Sequence, residues 1–204
     1  MKLMPILSVA AIVLAACAAA PSGAAEHGAD VQKLVAVMRP TQGHKAAGTL
    51  NFTQTPEGVR VQGNFRNLTP NSKHAIHIHQ FGDPRGTDGT AAGGHYNPEG
   101  HEHGLPTKDM RHAGDLGNLE TDAEGKAKIN LVVTNVSLAG MKNPIIGRGV
   151  IVHEKADDGG QPVGNAGGRI AVGVIGIANP EFKPTPGAGA AKNAPASPGA
   201  PKKQ

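Results

Sequence analysis

The stretch His74-Ala75-Ile76-His77-Ile78-His79-Gln80-Phe81 sets the architecture of this chain. Its alternation has a period of two, which is the pattern of a β-strand with one face turned to a core. Side chains two apart on a strand share a face, so His77 and His79 point the same way and can hold one ion between them. His74, three residues from His77, faces away and reads as a hydrogen-bonded structural histidine.

Other short runs flank this strand. Ala47 to Gln54, Val59 to Phe65, Leu116 to Thr121, Lys126 to Val133 and Arg148 to His153 are separated by turn clusters such as Pro56-Glu57-Gly58 and Asp122-Ala123-Glu124-Gly125. Repeated strands with turn punctuation and no helical periodicity predict an all-β chain, an antiparallel sandwich or barrel.

A second group of candidate ligands, His95, His103, His112 and Asp115, lies in a segment rich in Gly and Pro that cannot be continuous sheet. Three imidazole nitrogens and one carboxylate oxygen form the closed tetrahedral shell that zinc takes. The simplest reading is a long loop folded around its own ion, since loops of this length in compact domains are usually functional. His101 competes for one ligand place, or is a solvated loop residue. His153 ends a later apolar run and is a further candidate.

Five stretches carry a family resemblance in chain order: His77-Ile78-His79-Gln80-Phe81-Gly82-Asp83, Gly94-His95-Tyr96-Asn97-Pro98, His112-Ala113-Gly114-Asp115-Leu116-Gly117-Asn118, Val152-His153-Glu154-Lys155-Ala156-Asp157-Asp158 and Gly164-Asn165-Ala166-Gly167-Gly168-Arg169. Together they resemble the copper,zinc superoxide dismutase family over roughly residues 31 to 180. The resemblance implies an eight-stranded antiparallel Greek-key β-barrel, immunoglobulin-like, with long metal-binding loops. It implies copper on His77, His79, His95 and His153, and zinc on His95, His103, His112 and Asp115. His95 would bridge the two ions as an imidazolate, which requires two metals to displace both ring protons.

The same resemblance makes Asp157 an outer carboxylate joining His77 to His103, an arrangement that fixes ring tautomer and orientation. The implied catalytic residues are His95, which takes a proton during turnover, and Arg169, which attracts and orients a small anion beside the copper. The activity would be dismutation of superoxide to oxygen and hydrogen peroxide. A second reading from another class is a copper- or zinc-binding storage module in the cell envelope, which would need neither Arg169 nor a bridging His95.

Two departures from the family pattern stand out. Relatives tie the loop after the copper-ligand strand to the last strand by a disulfide, whereas here Val172 occupies the strand position and Pro84 to Gly93 contains no Cys. Loop order must then rest on zinc and packing. The segment before Arg169 is also short: Gly159-Gly160-Gln161-Pro162-Val163 lacks the Glu and Lys that relatives use to guide superoxide, and Val163 stands near the place of a channel-mouth Thr.

The termini have a different composition. Met1-Lys2, the apolar run Ile6 to Val13 and Leu14-Ala15-Ala16-Cys17 resemble a bacterial lipoprotein signal over residues 1–17, with lipidation at Cys17. Residues 18–30 read as a flexible tether, 31–181 as the domain and 182–204 as a Pro, Ala, Gly and Lys tail that cannot bury enough surface to order itself. The expected location is the cell envelope or periplasm, with a membrane contact through Cys17. The run Gly173 to Ala178 resembles the strand that relatives use at a two-fold interface, so a homodimer is expected.

A sequence pI near 9.3 suggests nucleic acid at first sight. The core contradicts that, with fifteen Lys and Arg against fourteen Asp and Glu over residues 31–181, while the tail holds four Lys and no acid. With one Tyr, four Phe and no Trp there is also no stacking platform for bases. P-loop and dinucleotide-binding spacings are absent, and Cys17, the sole cysteine, belongs to the signal rather than to a nucleophile.

Overall fold

Eight strands form the body of the molecule: β1 Lys33–Pro40, β2 Ala47–Thr55, β3 Gly58–Arg66, β4 Lys73–His79, β5 Asp115–Glu120, β6 Ala127–Val133, β7 Gly149–His153 and β8 Arg169–Ile177. The structure, a computed structural model, describes residues 31–183, so the signal, the tether and nearly all of the tail lie outside the described residues. A single 3-10 turn at Thr90–Ala92 is the only helical element among the described residues.

All strand pairs are antiparallel, in the order β5-β4-β7-β8-β1-β2-β3-β6. The two ends of that order, β5 and β6, follow one another in the chain through the turn Asp122 to Lys126. A bridge between Thr121 and Ala127 nearly closes the barrel there. Because β3 pairs with β6 and β4 with both β5 and β7, the chain crosses between the two halves in Greek-key fashion.

Inward positions fill the core with period two. Leu34, Ala36 and Met38 of β1 meet Leu50 and Phe52 of β2, Val59, Val61 and Phe65 of β3, Ile76 and Ile78 of β4, and Val150 and Val152 of β7. Fully burying one such aliphatic or aromatic side chain contributes roughly 1.5–3 kcal/mol. Barrel closure therefore follows from the pattern of apolar residues rather than from any single contact.

With Ile76 and Ile78 turned inward, His77 and His79 must point outward from β4. They are nevertheless buried, because the long β4–β5 connection and the β7–β8 connection cover that side. His74 is also buried, with Nδ1 2.9 Å from the carbonyl oxygen of His153. Strand β1 has no counterpart among the runs read from the sequence, β8 begins at Arg169, four residues before the run Gly173 to Ala178, and the others lie within a residue or two of their runs.

Candidate metal centre

Each site residue has a definite structural support. His77 and His79 stand on β4, and His153 ends the neighbouring β7, which pairs Ile76 with Val152 and His77 with Ile151. Asp115 opens β5 directly across from His77. His95, His103 and His112 come from the loop between β4 and β5, and an isolated bridge pairs His95 with His79. Two rigid strands thus supply one set of rings, and the loop brings the other set to them.

The ligand atoms form two overlapping groups. His77, His79, His95 and His153 each offer a nitrogen, all within 4.8 Å of one another, and His95, His103, His112 and Asp115 do the same. His95 belongs to both. Its ring centroid lies 4.0 Å from that of His77 and 5.4 Å from those of His103 and His112. All seven side chains are buried.

The ring nitrogens are sorted by their partners. His79 Nδ1 lies 3.0 Å from the Gly93 carbonyl and His153 Nδ1 lies 3.3 Å from that of Gly167, while His77 Nε2 lies 2.9 Å from Asp157 Oδ2. Their remaining nitrogens, His79 Nε2, His153 Nε2 and His77 Nδ1, are buried with no hydrogen-bond partner. An orphaned buried polar atom is costly unless something coordinates it. These three nitrogens therefore fit a metal ion.

On the other side, Nδ1 of His95 and of His103 each stand 3.0 Å from an Asp115 carboxylate oxygen, and Nδ1 of His112 stands 3.3 Å away. That carboxylate is oriented by the backbone N–H groups of Gly104 and His112 at 3.0 and 3.1 Å. This set has the donor chemistry of a structural zinc site. With Nδ1 of His95 turned to Asp115, its Nε2 is the nitrogen left for the first group.

Asp157 joins the halves. Its Oδ2 accepts from His77 and its Oδ1 from His103, both at 2.9 Å, and the N–H of Gly159 adds a third bond at 2.9 Å. Burial alone would raise the Asp157 pKa, but these donors hold it far below the usual carboxylate range. A permanently ionised Asp157 keeps the proton of each ring on Nε2. The lone pair of each ring is then on Nδ1, facing the ion sites.

Electrostatics also ready the rings for metal. Burial is the first cause of a lowered pKa at His77, to about 4, at His153, to about 3, and at His79, to about 2. Neutral imidazole is the form that binds metal, so these rings are competent at neutral pH without losing a proton. His112 shifts in the same direction, again first by burial.

Arg169 opens β8 across from His153. Its Nη1 donates to the Gly89 carbonyl and its Nη2 to the Gly93 carbonyl, both at 2.7 Å, so it clasps the loop after β4 to the last strand. Ala92 packs with Ile151 and Val172 beneath the same loop, and the N–H of Gln42 donates to the Thr87 carbonyl. His101 stands outside both ligand groups, with Nδ1 3.2 Å from the Arg111 carbonyl. Three carboxamide clasps had no signal in the sequence: Asn97 on His101, Asn118 on Asp157 and Gln161 on His103.

A β-barrel carrying two adjacent groups of potential metal ligands that share one imidazole points to a binuclear metalloprotein. The chain belongs to the copper/zinc superoxide dismutase family, whose family model matches residues 46–175. It is 41% identical over 154 residues to an extracellular copper-zinc superoxide dismutase of Brugia pahangi, covering 70% of this chain and 75% of that protein. Among solved structures it resembles the clock protein EA4, with a TM-score of 0.67 and 42% identity over 74% of this chain and 99% of the other. The chain is thus an oxidoreductase that dismutes superoxide and uses copper and zinc.

Proposed function

We propose that His77, His79, His95 and His153 hold the copper, that His95, His103, His112 and Asp115 hold the zinc, and that Arg169 draws superoxide to the copper side. The observation that carries this assignment is the set of buried unpartnered nitrogens at His77, His79 and His153, which converge on His95. Bound copper supplies one-electron cycling between Cu(II) and Cu(I), and zinc, which has no such cycle, supplies structure.

The residues of the chain do the remainder. Arg169 presents an always-charged guanidinium that attracts and orients the anion. His95 holds and releases a proton at Nε2 while Nδ1 stays against Asp115. Asp157 keeps the rings of His77 and His103 in one tautomer. The family and the relative named a superoxide dismutase favour the enzyme over the storage module. Diffraction from the loaded protein at the copper and zinc absorption edges should place one ion on each side of the His95 ring. A lone ion, or ions away from these residues, would refute the assignment.

Two finer readings concern what surrounds the domain, taken as residues 31–181. The named relative is extracellular, which supports export of this chain, and Leu14-Ala15-Ala16-Cys17 supports a lipid anchor at Cys17 in the cell envelope. Incorporation of labelled palmitate that survives Cys17→Ala would contradict the anchor. The homodimer is supported by a groove on the outer face of β1 and β8, where Val35, Val37, Val172 and Val174 lie beside the polar Arg39 and Gln42. Val37 is 55% exposed there, so a charge at this position tests the interface without disturbing the core. Sedimentation should show a dimer that Val37→Glu weakens at least tenfold, whereas a wild-type monomer at all concentrations would rule the dimer out.

A further inference from the structure

In the connection between β7 and β8, the stretch Gly159 to Val163 carries no charged side chain, yet one of its residues makes a specific contact. The Gln161 carboxamide accepts from the N–H of His103 at 3.0 Å and donates to the carbonyl of His103 at 2.8 Å. One amide thus satisfies both backbone polar groups of a single residue, as a neighbouring strand would. His103 is fully buried and has no strand beside it. Without Gln161 these two backbone groups would have only solvent as a partner at this part-buried place.

The connection is also braced for this task. The N–H of Asp158 donates to the Gly164 carbonyl at 3.1 Å, that of Gly164 to the Gly160 carbonyl at 2.7 Å, and Asn165 Nδ2 to Asp158 Oδ2 at 3.0 Å. Gly164, at φ +74°, lies against the Asp157–His103 hydrogen bond, where a Cβ would come 2.2 Å from Asp157 Oδ1 and 2.7 Å from His103 Nε2. His103 is therefore held twice. Asp157 fixes its ring and Gln161 fixes its backbone.

We infer that Gln161 is a positioning residue for the zinc side of the centre, clamping His103 so that its Nδ1 stays aimed at the ion and zinc leaves slowly. This role rests on the metal assignment proposed above. It gives the connection between β7 and β8 a part in holding the loop that precedes β5. Gln161 is itself exposed, so replacing it removes the clasp with little loss of packing.

The test follows zinc transfer from the zinc-loaded full chain to a chromogenic chelator, together with hydrogen exchange at the His103 amide and melting of the metal-free protein. Gln161→Ala should release zinc about tenfold faster, at the low end for loss of an outer-shell partner. Its His103 amide should lose protection, and metal-free melting should stay near that of wild type. Gln161→Glu keeps the acceptor for the N–H of His103 but loses the donor, and should fall between. Lower metal-free melting with unchanged zinc release would assign Gln161 to the fold alone and overturn the inference. A wild type that retains zinc while Gln161→Ala releases it equally slowly also overturns the clamp alone, whereas a wild type that retains no zinc overturns the zinc site and this role with it.

Discussion

Replacing Arg169 by Ala should slow superoxide dismutation by the fully loaded protein about 100-fold at low ionic strength, within the one to three orders of magnitude that steering supplies. Two effects combine. The variant loses the cation that draws the anion in, and it releases the Gly89 and Gly93 carbonyls. Gly93 also accepts from His79 Nδ1, so freeing its carbonyl loosens the ring of His79, a proposed copper ligand. Arg169→Lys keeps the charge but cannot span both carbonyls, and should retain intermediate activity. The gap between wild type and Arg169→Ala should narrow as salt rises, because screening weakens attraction but not hydrogen bonding. Stopped-flow superoxide decay across a salt series measures all of this, and equal rates for wild type and Arg169→Ala would remove Arg169 from the reaction.

Stripping both metals should lower the melting temperature by about 10–20 °C. The metal-free centre leaves buried nitrogens of His77, His79 and His153 unpartnered and holds two carboxylates buried among the rings. Structural zinc contributes about 10–16 kcal/mol in small domains. Even a third of that, at roughly 2–4 °C per kcal/mol for a domain of this size, produces the expected shift. No disulfide compensates, because Cys17 is the only cysteine and the loop after β4 is held by Arg169 and by Ala92 against Ile151 and Val172. Calorimetry with and without chelator measures the difference, and superimposable melts would show that the metals do not hold the loops.

The two clusters of candidate ligands were legible because metal chemistry favours a few residue types, of which His and Asp recur here at short spacings, and period-two alternation put His77 and His79 on one face. Strand β1 was hidden for the opposite reason. Its inward Leu34, Ala36 and Met38 alternate with outward Val35 and Val37, so both faces are apolar and the alternation disappears. The clasps were equally invisible, since Gln161 reaches a backbone 58 residues away and nothing in a carboxamide announces its acceptor. Which nitrogen of each ring faces the ion depends on Asp157, Gly93 and Gly167, and that needs three dimensions.

A copper titration into the zinc-loaded chain, read by superoxide decay at each addition, tests the binuclear enzyme most directly. Activity should rise linearly and stop sharply at one copper per chain. Copper uptake with no turnover at any ratio, or activity that climbs without a break as free copper would give, contradicts it.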